Sequence, residues 1–215
     1  MYRWLRFLLI FLISGLIAIL VMQWQQKRAQ RAADTEMAMA AIAQAAKKPE
    51  DRVTYPDGSQ VELTLPDGRR EIVRSILNIN QPMRFGAYVW DEKGVPDGPV
   101  WVRVDLAKQI LSVFRGGHEI GSAVILFGTD GKLTPIGEFK IKQKDADYHS
   151  RTYDAPMPYM LRLTDDGVAL HGSNVRMGSA THGCIGLPHE FARMLFEQMK
   201  LGDTVVILPD APAKA

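Results

Sequence analysis

Three runs decide the fold: Trp101-Val102-Arg103-Val104-Asp105-Leu106, Gln109-Ile110-Leu111-Ser112-Val113-Phe114-Arg115, and Gly121-Ser122-Ala123-Val124-Ile125-Leu126-Phe127. Apolar and polar residues alternate with the period of a β-strand, and Gly116-Gly117 between the second and third runs supplies a tight reversal. Strand signals continue at Gly137 to Lys142, Tyr159 to Thr164, Val168 to His171 and Asp203 to Leu208. Only Glu190 to Met199 carries helical spacing, with Phe191, Met194, Leu195 and Met199 on one face. Many short strands joined by Gly, Pro and Asp turns predict a mainly β domain, a sandwich or barrel with one late helix, over residues 100–208. Residues 209–215 are expected to form a disordered tail.

Upstream of that domain, Tyr55-Pro56-Asp57-Gly58 and Leu65-Pro66-Asp67-Gly68 repeat one turn signal, and Val61, Leu63 and Leu65 alternate with polar residues between them. Arg70 to Ile79 reads as a second strand or a short helix, and Ala87 to Asp91 as another strand. Residues 51–99 are too few to hold a core alone, so they are expected to be a small β-rich subdomain packed on the larger domain. Residues 25–50 are mostly Ala, Gln and charged residues without Gly or Pro before Pro49, the composition of a helical tether.

Residues 1–24 hold an uncharged apolar run from Phe7 to Met22, flanked by Trp4 and Trp24. A bilayer needs about 20 such residues with a lower limit of about 17, so the run suffices as a membrane helix with aromatic residues at both interfaces. Val21-Met22-Gln23-Trp24 offers no small-x-small cleavage site, which favours an uncleaved anchor over a signal segment. Arg3 and Arg6 before the run balance Lys27, Arg28 and Arg31 after it, so charge alone does not orient it.

The totals exclude several functions. A 215-residue chain with 47% hydrophobic residues has material for one ordinary domain with attachments. A formal charge of +2 with dispersed Lys and Arg gives no footprint for nucleic acid. The single cysteine excludes an internal disulfide and leaves one thiol free.

That thiol lies in the stretch from His171 to Pro188, which also holds two of the five histidines and four glycines. Cys184 follows His182 by two residues and His171 by thirteen, the composition of a base-activated thiolate. A free thiol titrates near 8.5, so at neutral pH only a few per cent is thiolate unless a base or cation is close. Gly183 lets the backbone turn sharply and aim amides at one spot, as an oxyanion hole requires. Either imidazole could serve as base. His171, at the end of a strand and followed by Gly172, is the favoured one, with His182 shaping the loop or binding substrate. His171, His182 and Cys184 are also three conceivable zinc ligands, but no second closely spaced Cys or His pair accompanies them, and neither metal nor cofactor is expected.

His171-Gly172, followed by Thr181-His182-Gly183-Cys184-Ile185, resembles the signature of the L,D-transpeptidase (YkuD-type) catalytic domain family. Thr134-Pro135-Ile136-Gly137-Glu138-Phe139 and Met157-Pro158-Tyr159-Met160 are similar to two further segments of that family. The resemblance implies a cysteine acyltransferase acting on peptidoglycan stem peptides. Cys184 would attack the carbonyl of the third stem residue, D-alanine would leave, and the acyl group would pass to an amine of another stem or of an envelope protein. It implies His171 as base, oriented by a backbone carbonyl, and amides near Gly183 and Cys184 as oxyanion hole. Gly172, Ser173, Arg176 and Thr181 are expected around the substrate. A substrate outside the cytoplasm would put the domain on the periplasmic face of the inner membrane, or free in the periplasm if the first segment is cleaved. One departure stands out: Gly186 occupies a position where the family commonly has Arg or Asn. Arg176 in the same loop is expected to supply the missing charge.

Overall fold

A computed structural model describes residues 52–65, 68, 70–129 and 131–209, together with the helical residues Met22, Gln25 and Gln26. Apart from those three residues, the predicted membrane segment and tether lie outside the described residues, as does nearly all of the predicted tail. Among the described residues no helix is long and apolar enough to cross a membrane. The chain divides into two compact units, residues 1–49 and 50–215.

The second unit is mainly β with one late helix. The strands at its centre are β6 (Val100–Asp105), β7 (Ile110–Arg115) and β8 (His118–Val124). They pair antiparallel in sequence order, with a register shift at Val113/Phe114. β16 (Thr204–Leu208) lies parallel to β6, and β9 (Gly137–Lys140) borders β16 on its other side. β1 (Arg52–Thr54), β4 (Ser75–Leu77) and β5 (Tyr88–Trp90) join the same eight-stranded sheet at the β8 side. A separate antiparallel hairpin, β2 (Val61–Thr64) with β3 (Arg70–Val73), closes through a turn in which the Gly68 amide donates to the Leu65 carbonyl.

A second sheet of four strands carries the Cys184 loop. Its order is β10 (Gln143–Asp145), β13 (Met160–Arg162), β14 (Ala169–Gly172) and β15 (Ile185–Leu187). A two-stranded ribbon, β11 (His149–Ser150) with β12 (Ala155–Pro156), lies between β10 and β13 in sequence. The main core is common to both sheets and the helix, with Val102, Leu111 and Ile120 from one sheet and Leu161, Leu170 and Ile185 from the other.

Alternation in β6 to β8 is weaker in burial than in sequence, because both faces are covered. Trp101 and Phe114 stack at 4.5 Å and 11° and, with Val73, form a second cluster beneath Tyr55, Leu63 and Ile76. Residues 52–77 thus supply the cover for the face of β6 and β7 that turns away from the main core. Such an aromatic pair contributes about 0.5–1.5 kcal/mol beyond the area it buries.

The helix α1 (His189–Gln198) starts after Pro188 and buries Phe191, Ala192 and Leu195. Each large apolar side chain so buried is worth about 1.5–3 kcal/mol, against about 0.3–0.5 kcal/mol for an exposed helical ion pair such as Arg193 with Glu197. Packing therefore holds the helix. Its last turn contains no basic residue. Lys144 of β10 takes that place, with Nζ 2.6 Å from the Phe196 carbonyl and also bonded to that of Met199. A cation there satisfies carbonyls that the helix leaves open and meets the negative end of its dipole. Burial pushes the Lys144 ammonium below its usual range. Lys144→Met should lower stability by about 1–2 kcal/mol, a fall in Tm of roughly 2–8 °C for a domain of this size, measured by thermal unfolding; an unchanged Tm would contradict the capping role.

Candidate functional site

The site follows from one short parallel pairing. β14 and β15 run side by side with Leu170 opposite Ile185, His171 opposite Gly186 and Gly172 opposite Leu187. Successive side chains of a strand point to opposite faces. Leu170, Ile185 and Leu187 therefore enter the core, where all three are buried, and His171 shares the other face with Gly186 and with Cys184, two residues earlier. Cys184 and His171 both line one cavity of about 240 Å³, with Ser173, Thr181 and His182 from the loop and Ser150, Tyr153 and Met157 from the ribbon side.

The imidazole of His171 is held by its neighbour. Nδ1 lies 2.9 Å from the Gly172 carbonyl. A carbonyl can only accept, so Nδ1 carries the proton and Nε2 keeps its lone pair. Burial pushes the His171 pKa below the ordinary imidazole range, and the Gly172 carbonyl opposes this only in part. The ring is therefore neutral at pH 7 with one basic nitrogen, the state of a general base awaiting a proton.

Cys184 is half-buried and packs against Met157, Met160 and Ala169. Its Sγ is 3.7 Å from the Gly167 carbonyl. Burial raises the thiol pKa above its usual value; the Ala169 amide and the charge of Lys132 pull it down, and burial wins. The resting site is thus neutral thiol and neutral imidazole rather than a preformed ion pair. Lys132 lies beside this loop: its Nζ pairs with Asp166 at 3.0 Å, and its stem passes so close that a Cβ on Gly183 would sit 3.3 Å from its Cγ.

The other loop residues have separate placements. His182 is exposed and stacks on Tyr153 at 4.8 Å and 20°, so its ring faces an aromatic wall of the cavity. Gly183 has φ +97°, a conformation that costs an L side chain strain. Thr181 donates from Oγ1 to the Cys184 carbonyl and from its amide to the Phe127 carbonyl, 3.1 Å away. The Gly172 amide donates to the Pro158 carbonyl at 2.8 Å and that of Ser173 to Leu187 at 2.7 Å. Arg176 is not brought to the cavity: it is exposed, and its Nε bonds to Asn174 at 2.8 Å.

Gly186 is buried, and its amide and carbonyl each make a 2.9 Å hydrogen bond with Leu126, a bridge to the segment that leaves β8. A Cβ there would lie 2.9 Å from the Cβ and 3.2 Å from the Oγ of Ser173. Ser173 occupies the volume that a side chain at 186 would need, so the position is filled from the far end of the loop and not vacant. Residues without a part in the sequence-based assignment also reach the site: Tyr153, Met157 and Ser150 as cavity wall, and Thr134 behind Gly183. The family-like segments at 134–139 and 157–160 are the signals that could have found Thr134 and Met157, whereas Ser150 and Tyr153 carry none. Among the described residues no group of three or more His, Cys, Asp or Glu side chains is placed to hold a metal ion.

The L,D-transpeptidase catalytic domain family, YkuD, matches residues 99–207, half of the chain. The protein belongs to that family. It is similar to the "Probable L,D-transpeptidase YbiS" of Escherichia coli K12, 26% identical over 164 residues that cover 75% of this chain and 42% of that protein. The chain thus spans less than half the length of the curated relative it matches. An L,D-transpeptidase crystal structure from Stackebrandtia nassauensis superposes with a TM-score of 0.50 at 28% identity, over 55% of this chain and 60% of that one.

Three measurements probe this geometry. Acylation should hold its rate down to a pH below the ordinary histidine range and fall only as His171 gains a proton there, while alkylation by iodoacetamide should still climb above the ordinary thiol range as Cys184 ionises; an acid limb at or above about 6.5 would contradict the buried neutral base. Gly186→Ala must displace Ser173 or strain the Leu126 bridge, so a loss of about 1–3 kcal/mol is expected on denaturant unfolding, and the double variant with Ser173→Gly should regain most of it.

Proposed function

We propose that this chain is a cysteine-dependent acyltransferase of the bacterial cell wall that exchanges the terminal D-alanine of a tetrapeptide stem for an amine acceptor. Cys184 is the nucleophile, His171 the base, and the amides around Gly183 and Cys184 the oxyanion donors. The carrying observation is that the only thiol and a neutral imidazole with its lone pair on Nε2 line the same cavity on the same strand face.

The steps balance on these groups. His171 Nε2 takes the thiol proton as sulfur attacks the carbonyl of the third stem residue. The tetrahedral oxyanion collapses, the bond to D-alanine breaks, and the imidazolium gives its proton to the leaving amine. A thioester on Cys184 remains. The acceptor amine then attacks it, giving up a proton to His171, which passes it to the departing sulfur and restores the thiol and the neutral imidazole. Because burial raises the thiol pKa, the resting sulfur is protonated and a base is needed to take its proton before or during attack.

The apolar run Phe7 to Met22 supports tethering of the domain to the periplasmic face of the inner membrane, with residues 25–50 as spacer and residues 51–99 as a packing partner of the catalytic domain. An amine on a second stem or on an envelope protein is the acceptor such a location offers. His182 on Tyr153, with Thr181 and Ser173 beside the thiol, forms the substrate-side wall, Gly172 orients the base through its carbonyl, and Arg176 takes no part in that wall.

Incubation of the full chain with disaccharide-tetrapeptide tests this by product mass. A cross-linked dimer with free D-alanine is expected. A tripeptide alone would mean hydrolysis, and no product together with no covalent carbapenem adduct would mean a non-catalytic wall-binding protein. Cys184→Ala should abolish turnover outright, and His171→Gln should lower it by about 10² to 10⁴.

A further inference from the structure

We propose that Thr134 is a positioning residue for the acylation step: its hydroxyl fixes the Gly183–Cys184 peptide so that the Cys184 amide is aimed at the oxyanion. This rests on the reading of Cys184 as the acylated nucleophile. Thr134 lies between β8 and β9, is 5% exposed, and belongs to neither strand. Its Oγ1 is 2.8 Å from the Gly128 amide and 3.0 Å from the Gly183 carbonyl. An amide can only donate and a carbonyl only accept, so the one hydroxyl proton must go to Gly183 while Gly128 donates to the oxygen.

The consequence follows from peptide geometry. In a planar trans peptide the carbonyl and the following N–H point in opposite directions. Fixing the Gly183 carbonyl on Thr134 therefore fixes the Cys184 N–H away from Thr134. Gly183 needs such a restraint, because at φ +97° it has no side chain of its own to hold its orientation. The second restraint is steric. The backbone of Gly128 lies so close that a Cβ there would be 2.5 Å from the Gly183 nitrogen and 2.6 Å from its Cα. Gly128 is also bridged to Thr181, whose amide donates to Phe127. One hydroxyl thus ties the β8–β9 segment to the peptide that precedes the nucleophile, and an oxyanion donor displaced by about 1 Å can cost about 10² in rate. Both hydrogen bonds of the Thr134 hydroxyl go to backbone groups, and the influences on the Cys184 thiol are burial, Ala169, Lys132, Asp166 and Arg162, not Thr134.

The test compares Thr134→Val, which keeps shape and removes the hydroxyl, with Thr134→Ser, which keeps the hydroxyl, in the full chain. Two rates are read at one pH: single-turnover acylation by a carbapenem and alkylation by iodoacetamide, which needs no oxyanion hole. Thr134→Val should lose about 10- to 100-fold in acylation with alkylation unchanged, and Thr134→Ser should acylate within about threefold of the parent. Parallel loss of both rates in Thr134→Val, unchanged acylation, or a serine variant as slow as valine would each overturn the proposal. A parent chain that alkylates but never acylates would overturn the reading of the site itself, and with it this assignment.

Discussion

Everything at the site depends on the parallel pairing of β14 with β15. Three residue pairs set His171 level with Gly186 and so put an imidazole and a thiol on one face of two adjacent strands. Parallel strands cannot be joined by a tight turn, so the chain between them, residues 173–184, must leave the sheet and return. That excursion is the glycine-containing loop. Its two ends are fixed by the sheet, and its return is fixed by the bridge of Gly186 to Leu126 and of Thr181 to Gly128. The loop is therefore anchored at the cavity, while its middle, Asn174 and Arg176 to Ser179, is exposed and does not line it.

The electrostatics of the pair follow from the same burial. Burial strips hydration from the charged form of each group and so disfavours both thiolate and imidazolium. Both pKa values move toward the neutral form, the thiol up and the imidazole down. Lys132 opposes this for the thiol but is itself engaged by Asp166. The result is a site whose thiol and imidazole both favour their neutral forms at rest.

Much of this is legible in the sequence, for identifiable reasons. The central strands and the helix are readable because their apolar periods extend over six or more residues. The Cys184, His182 and His171 cluster is readable because the thiol is alone and its neighbours are few. β15 is not readable: three residues give no period, yet they set the register of the site. Gly186 misleads for a related reason. It looks like a missing side chain in one dimension, and in three its space belongs to Ser173, a contact across the loop that no local pattern encodes. Thr134 looks like one member of a turn-like segment, since a single buried hydroxyl leaves no trace until its two partners are known. The role of residues 52–77 in covering Trp101 and Phe114 is hidden likewise, because a strand buried on both faces loses the contrast on which alternation depends.

The central claim is that Cys184 carries the acyl group between donor and acceptor. Acid quenching of the full chain during turnover of the tetrapeptide substrate, with peptide mass mapping of the quenched protein, tests it most directly. The account predicts a peptide containing Cys184 heavier by the donor stem less its terminal D-alanine, absent in His171→Gln at the same quench time. Release of D-alanine with Cys184 unmodified at every time, or the same mass increment on another residue, would contradict it.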